Sequence, residues 1–118
     1  MTLVDPSRAR KLLMAEREGI ERELAELVHP GEDEAEEASE FDAQNLAKEL
    51  LEDELAEGRR VELHEQLAAV ERAERRLAAG TYGLSVQSGA PIPDERLQVI
   101  PTAELTVAEA EERARSGR

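Results

Sequence analysis

The stretch "GTYGLSVQSGAPIPDERLQVIPTAELTVAEAE", residues 80–111, decides how this chain is read. Its polar residues Ser85 and Ser88 form one x-x pair, and after seventeen intervening residues Thr106 and Glu109 form a second. Cysteines at those four places would match a four-thiolate zinc site. The chain has no cysteine at all. Thiol chemistry and disulfides are therefore excluded, and the segment must be closed by other means.

The stretch is also a compact module by its local signals. "TVAE" is a capping box, with Thr106 placed to accept from the Glu109 backbone and Glu109 placed to reach back to Thr106. Ser85 and Ser88 are placed to hydrogen-bond the tight turn at Gly89. Such a cap contributes roughly 0.5–2 kcal/mol, against on the order of 10–16 kcal/mol for a structural zinc in a small finger peptide. Burial of Leu84, Val86, Ile92, Leu97, Val99, Ile100, Leu105 and Val107 is expected to make up the difference.

Working outward, the rest of the chain reads as helix. Asp5 is a good N-cap and Pro6 suits the first helical position. Leu13, Ile20 and Leu27 then recur every seven residues, with Leu24 beside them, the pattern of a helix packing along another helix. "HPG" at 29–31 stops this helix. Between Glu32 and Glu54, inclusive, stand eleven acids and one base, Lys48. Helical spacing returns at Leu46, Leu50, Leu51 and Leu55, and again at Leu63, Leu67, Val70 and Leu77, ending at Gly80. The spacing predicts a second helix from about 42 to 79, about 57 Å long at the usual rise per residue. Gly58 is its expected weak point. A helix of that length needs a partner for its seam, and the first helix, running back along it, is the one available.

The expected fold is mainly α: an antiparallel two-helix coiled-coil hairpin on a small, zinc-finger-like, metal-free C-terminal module that ends in a short helix. Residues 1–79 form the N-terminal helix and hairpin, with an acidic tip at about 29–47, and residues 80–118 form the module.

Composition narrows the function classes. Among 118 residues, 28 are acidic and 15 basic, for a net charge of −13. This balance opposes direct contact with nucleic acid and favours a basic protein surface. One Phe, one Tyr and no Trp make a large aromatic-lined ligand pocket unexpected. No nucleophile–base set, glycine-rich phosphate loop or calcium-loop spacing is present, so no enzymatic activity is expected. No signal-peptide or membrane-span pattern is seen, and a cytoplasmic protein is expected.

The ordered pieces "AERRLAAGTYG", "SGAPIPDERL" and "PTAEL" resemble the DksA/TraR family of bacterial transcription regulators. Members read there as a helix ending in Gly-Thr-Tyr-Gly, a cysteine pair, Gly-x-Pro-Ile-Pro-x-x-Arg-Leu, then Pro-x-Ala and a second cysteine pair. Gly80, Thr81, Tyr82, Gly83, Gly89, Pro91, Ile92, Pro93, Arg96, Leu97, Pro101 and Ala103 fall in that register. By this resemblance Ser85, Ser88, Thr106 and Glu109 are former zinc-ligand positions, all substituted, and zinc is not expected.

The resemblance further implies a factor that binds RNA polymerase core and inserts its coiled coil into the secondary channel. There it alters initiation, in some members together with guanosine tetraphosphate at the polymerase interface, a stringent-response role. The family's tip, D-x-x-D-x-A, is similar to "DAQNLA", which puts Asp42 and Ala47 on the outer positions and Asn45 where the second acid stands. An alternative tip, "DEAEEA", uses Asp33, Glu36 and Ala38. Tyr82 and Arg96 are expected to brace the base of the hairpin. A monomer without membrane or direct nucleic-acid contact is expected. The alternative function is a coiled-coil adaptor with no direct transcriptional role.

Overall fold

The structure, a computed structural model, describes residues 4–27 and 43–117. Four helices follow one another among the described residues: α1 (Pro6–Leu27), α2 (Ala43–Ala79), α3 (Asp94–Val99) and α4 (Val107–Ser116). Among the described residues there is no strand, only an isolated antiparallel bridge between Leu84 and Pro91.

The local signals explain where these helices begin and end. The Arg8 N–H donates to Asp5 Oδ1 at 2.8 Å, so Asp5 caps α1 and satisfies one of its orphan amides. At the other end of α2, the Thr81 N–H donates to the Arg76 carbonyl (2.9 Å) and the Gly80 N–H to that of Leu77 (3.2 Å). This reciprocal pair is a Schellman closure, and it requires a left-handed residue after the helix. Gly80 supplies it, with φ +84. Helix α2 runs unbroken through Gly58, the residue expected to be its weak point.

The chain divides into two compact units, and the division cuts through both long helices. The first unit combines Met1–Arg17 with Ala68–Arg118; the second is Glu18–Leu67. In the first, Val4, Ala9, Leu13, Ala73, Tyr82, Ile92, Leu97 and Ala103 form one buried cluster, with Leu12 and Leu77 packed against it. Arg17 of α1 reaches back to Glu74 at 2.8 Å and to Glu71 at 3.9 Å. The start of α1 thus lies beside the end of α2, and the two run antiparallel. In the second unit Ile20 and Leu63 are buried, and Arg59 of α2 pairs with Glu23 of α1 at 3.0 Å.

The seven-residue seam is therefore real at Leu13 and Ile20 on α1 and at Leu63 and Val70 on α2, all buried. It does not extend to the start of α2. Leu46, Leu50, Leu51 and Leu55 are exposed. Among the described residues, α1 ends at Leu27, four residues past the Glu23 that pairs with Arg59. The first turns of α2 consequently have no described helix to pack on.

Helix α3 was not foreseen. Pro93 stands at its cap position, Asp94 and Glu95 occupy its first turn, and Leu97 points into the core. Acidic residues at a helix N-terminus are favoured by the helix dipole. Buried Leu97 supplies the tertiary contact that so short a helix needs to persist.

Candidate functional site

The four positions picked out by their spacing meet in the first unit, around one carboxylate. Ser85 Oγ donates to Glu109 Oε1 at 2.6 Å, and Ser88 Oγ donates to Glu109 Oε2 at 2.5 Å. The Thr106 N–H donates to Glu109 Oε1 at 2.9 Å, and the Glu109 N–H donates to Thr106 Oγ1 at 3.2 Å. The expected capping box is therefore present, with Thr106 as N-cap of α4. Its Glu109 also reaches across to the serines of a turn some twenty residues earlier.

That turn is built to aim both hydroxyls at the carboxylate. Gly89, with φ +82, lets the chain reverse, and its N–H donates to the Ser85 carbonyl at 2.9 Å. Ser85 Oγ accepts from the amides of Gln87 (3.0 Å) and Ser88 (3.1 Å), and Ser88 Oγ accepts from that of Ala90 (3.2 Å). A hydroxyl has one proton and two lone pairs. Buried Ser85 uses all three, so its burial leaves nothing unsatisfied.

The carboxylate is strongly stabilised in its charged form. The Ser85 hydroxyl above all, then the Ser88 hydroxyl and the Thr106 amide, hold the Glu109 carboxyl down to about 2.

Other contacts brace the same module. Tyr82, in the core, donates its hydroxyl to the Pro101 carbonyl at 2.8 Å, and burial raises its pKa. Arg96 Nε donates to the Leu105 carbonyl at 3.1 Å. Glu104 Oε2 accepts from Arg72 Nε at 2.8 Å and from Arg76 Nη1 at 2.9 Å, tying the loop before α4 to α2. Burial would raise the Glu104 carboxyl, but the Arg72 hydrogen bond and the charges of Arg72 and Arg76 outweigh it and hold it below the usual range.

The expected burial list needs correction. Ile92, Leu97 and Leu105 are buried and Leu84 is half-buried, whereas Val86, Val99, Ile100 and Val107 are exposed. The module is too small to have an inside for all eight. Four of the eight residues anticipated for the closure are thus left largely exposed, and polar contacts supplement the remaining apolar ones.

Do these residues suit the zinc that the spacing suggests? Three neutral hydroxyl positions and one carboxylate are a poor donor set for zinc, which takes thiolate, imidazole and carboxylate ligands. Here the serine hydroxyls already point their protons at the carboxylate. They do not fit the ion. Among the described residues no group of three or more His, Cys, Asp or Glu is placed to hold a metal, and His64 is exposed on α2.

Of the tip residues, Asn45 and Ala47 are exposed in the first turns of α2. Asp42 lies outside the described residues, as do Asp33, Glu36 and Ala38 of the alternative tip. The division into units exposes a charge pattern that the acidic run alone did not reveal. The second unit has 18 acidic and 4 basic residues, a net −14, while the first has 10 acidic and 11 basic, a net +1. The protein's net negative charge thus belongs to Glu18–Leu67. No helix among the described residues is long and apolar enough to cross a membrane.

Comparison with known proteins turns on structure. No family model matches the sequence, and a search of curated proteins finds no match. Among solved structures, the chain is similar to that of the transcription factor DksA2 from Pseudomonas aeruginosa, with a TM-score of 0.79 and 26% identity. The match covers 96% of this chain and 85% of that one.

Proposed function

From the premise that this chain has a DksA-like fold, we propose that it is a transcription regulator that binds RNA polymerase core through the secondary channel and not promoter DNA. The similarity to a transcription factor over nearly the whole chain carries this reading. The charge distribution supports it, because a −14 unit repels nucleic acid and is drawn to a basic protein channel. In this reading Asp42, Asn45 and Ala47 approach the polymerase active centre. Asp42 contributes the remaining tip charge, and Ala47 permits close approach. Asn45 replaces a second carboxylate, so the tip is a poor metal-delivering device and works by altering initiation. Guanosine tetraphosphate at the polymerase interface is a further contact to test.

The test is binding to purified bacterial RNA polymerase core, competed by another secondary-channel factor, together with in vitro transcription. Wild type should bind, be displaced by the competitor, and lose affinity as salt rises. The double variant Asp42→Asn/Asn45→Ala should bind nearly as well and no longer change transcript yield. Regulation by the double variant at wild-type level would discard the tip assignment. Failure of wild type to bind core would discard the polymerase reading and leave the coiled-coil adaptor.

A further inference from the structure

We infer that the Glu109 carboxylate takes the structural place of a zinc ion, clamping the 85–90 turn to the start of α4, so that this module closes without any metal. In a four-thiolate site, one ion joins two chain segments by bonds to two positions on each. Here one side chain does the same joining from inside the set. Glu109 Oε1 receives the Ser85 hydroxyl and the Thr106 amide, and Oε2 receives the Ser88 hydroxyl. The fourth position, Thr106, is bound to Glu109 a second time, through its own hydroxyl.

The connection is directional as well as central. A carboxylate accepts at up to about four lone-pair sites, and hydrogen bonds to an ionised group are roughly twice as strong as neutral ones. Both serines are held in the donating orientation because their lone pairs are engaged by backbone amides of their own turn. The turn is thus organised from within to present two protons to one anion. A zinc ion placed between these groups would meet the two serine protons, which already occupy both oxygens of the one carboxylate in the set. Apolar closure alone does not account for the arrangement, since Val86, Val99, Ile100 and Val107 are left largely exposed.

The inference concerns the stability of the module and is tested on the whole protein, independently of any partner. Untagged wild type, produced in zinc-supplemented medium, should contain no stoichiometric zinc, and EDTA should leave its Tm unchanged within about 1 °C. In Glu109→Ala the amides of Gln87, Ser88 and Ala90 should exchange with solvent about tenfold faster or more, while those in the middle of α2 keep their protection. If that variant does not fold, Ser88→Ala should give the same acceleration at Ala90 alone. The quadruple variant S85C/S88C/T106C/E109C should take up one zinc and become EDTA-sensitive, because the four positions converge. One equivalent of zinc in wild type, unchanged exchange in both single variants, or no zinc uptake by the quadruple variant would each overturn the proposal.

Discussion

Ser85 and Glu109 are joined by a 2.6 Å hydrogen bond between the turn after α2 and the first turn of α4. The bond gives the module a charged keystone. A carboxylate in that role makes the fold sensitive to acid in a defined direction.

Glu109 titrates at about 2 in the folded chain, against an ordinary value of 4.5. The unfolded chain therefore binds more protons than the folded one between those two values, and stability falls as pH drops through that window. Above about pH 4.5 the Glu109 contribution is complete. Glu104, held down by Arg72 and Arg76, contributes with the same sign. Urea unfolding from pH 7 to pH 2.5 should show wild type losing stability faster than Glu109→Gln in the lower part of the range. Parallel curves for the two proteins would mean that Glu109 is not the group responsible.

Leu97 and Val99 are two residues apart and face opposite environments. Leu97 is 0% exposed and Val99 79%. Leu97→Ala should cost about 2–5 kcal/mol, as for other fully buried leucines. Val99→Ala should change stability by no more than about 0.5 kcal/mol. Thermal denaturation of the pair checks the assignment, and equal losses would refute the orientation of α3.

Glu104 receives two arginines of unequal burial, Arg76 with its side chain 14% exposed and Arg72 with 48%. Arg76→Ala should destabilise the protein by about 1–2 kcal/mol, since a hydrogen-bonded charge is left without its more buried partner. Arg72→Ala should cost less than about 1 kcal/mol, as exposed ion pairs do. The order of the two, measured by denaturant midpoint, is the discriminating result.

Two glycines should respond to alanine in opposite senses. Gly58 lies inside α2 with open space where a Cβ would go, so Gly58→Ala should stabilise by about 0.5–1 kcal/mol. Gly80 also has open space but adopts φ +84, so Gly80→Ala should destabilise by about 1–2 kcal/mol. Chemical denaturation under one set of conditions compares them directly, and the same sign at both positions would contradict the assigned backbone.

Much of the architecture was legible in the chain itself, because it depends on neighbours. Asp5 followed by Pro6 starts α1, the seven-residue recurrence of Leu13, Ile20 and Leu63, Val70 marks facing seams, Gly80 ends α2, and Thr106 with Glu109 caps α4. Each is a relation among residues within a turn or two of helix, where bond geometry alone limits the outcome. Helix α3 escaped because six residues have little periodicity to read, and its anchor is the burial of Leu97 by distant residues.

What only the tertiary structure decided is which of several equivalent choices is realised. The hydrophobic residues of 84–107 look alike in sequence, yet burial depends on which side of a small module each one faces, and that is settled by contacts with α1 and α2. Glu109 could have been a cap and nothing more. It became a cap and a clamp because the 85–90 turn folds back against the start of α4; the spacing of the four positions pointed to that encounter, but which of them would hold the others was decided by the folded contacts. The charge segregation has the opposite origin: 18 of the 28 acids lie in the continuous stretch Glu18–Leu67, so the chain order already gathers them, and the fold decides only that this stretch is a unit of its own.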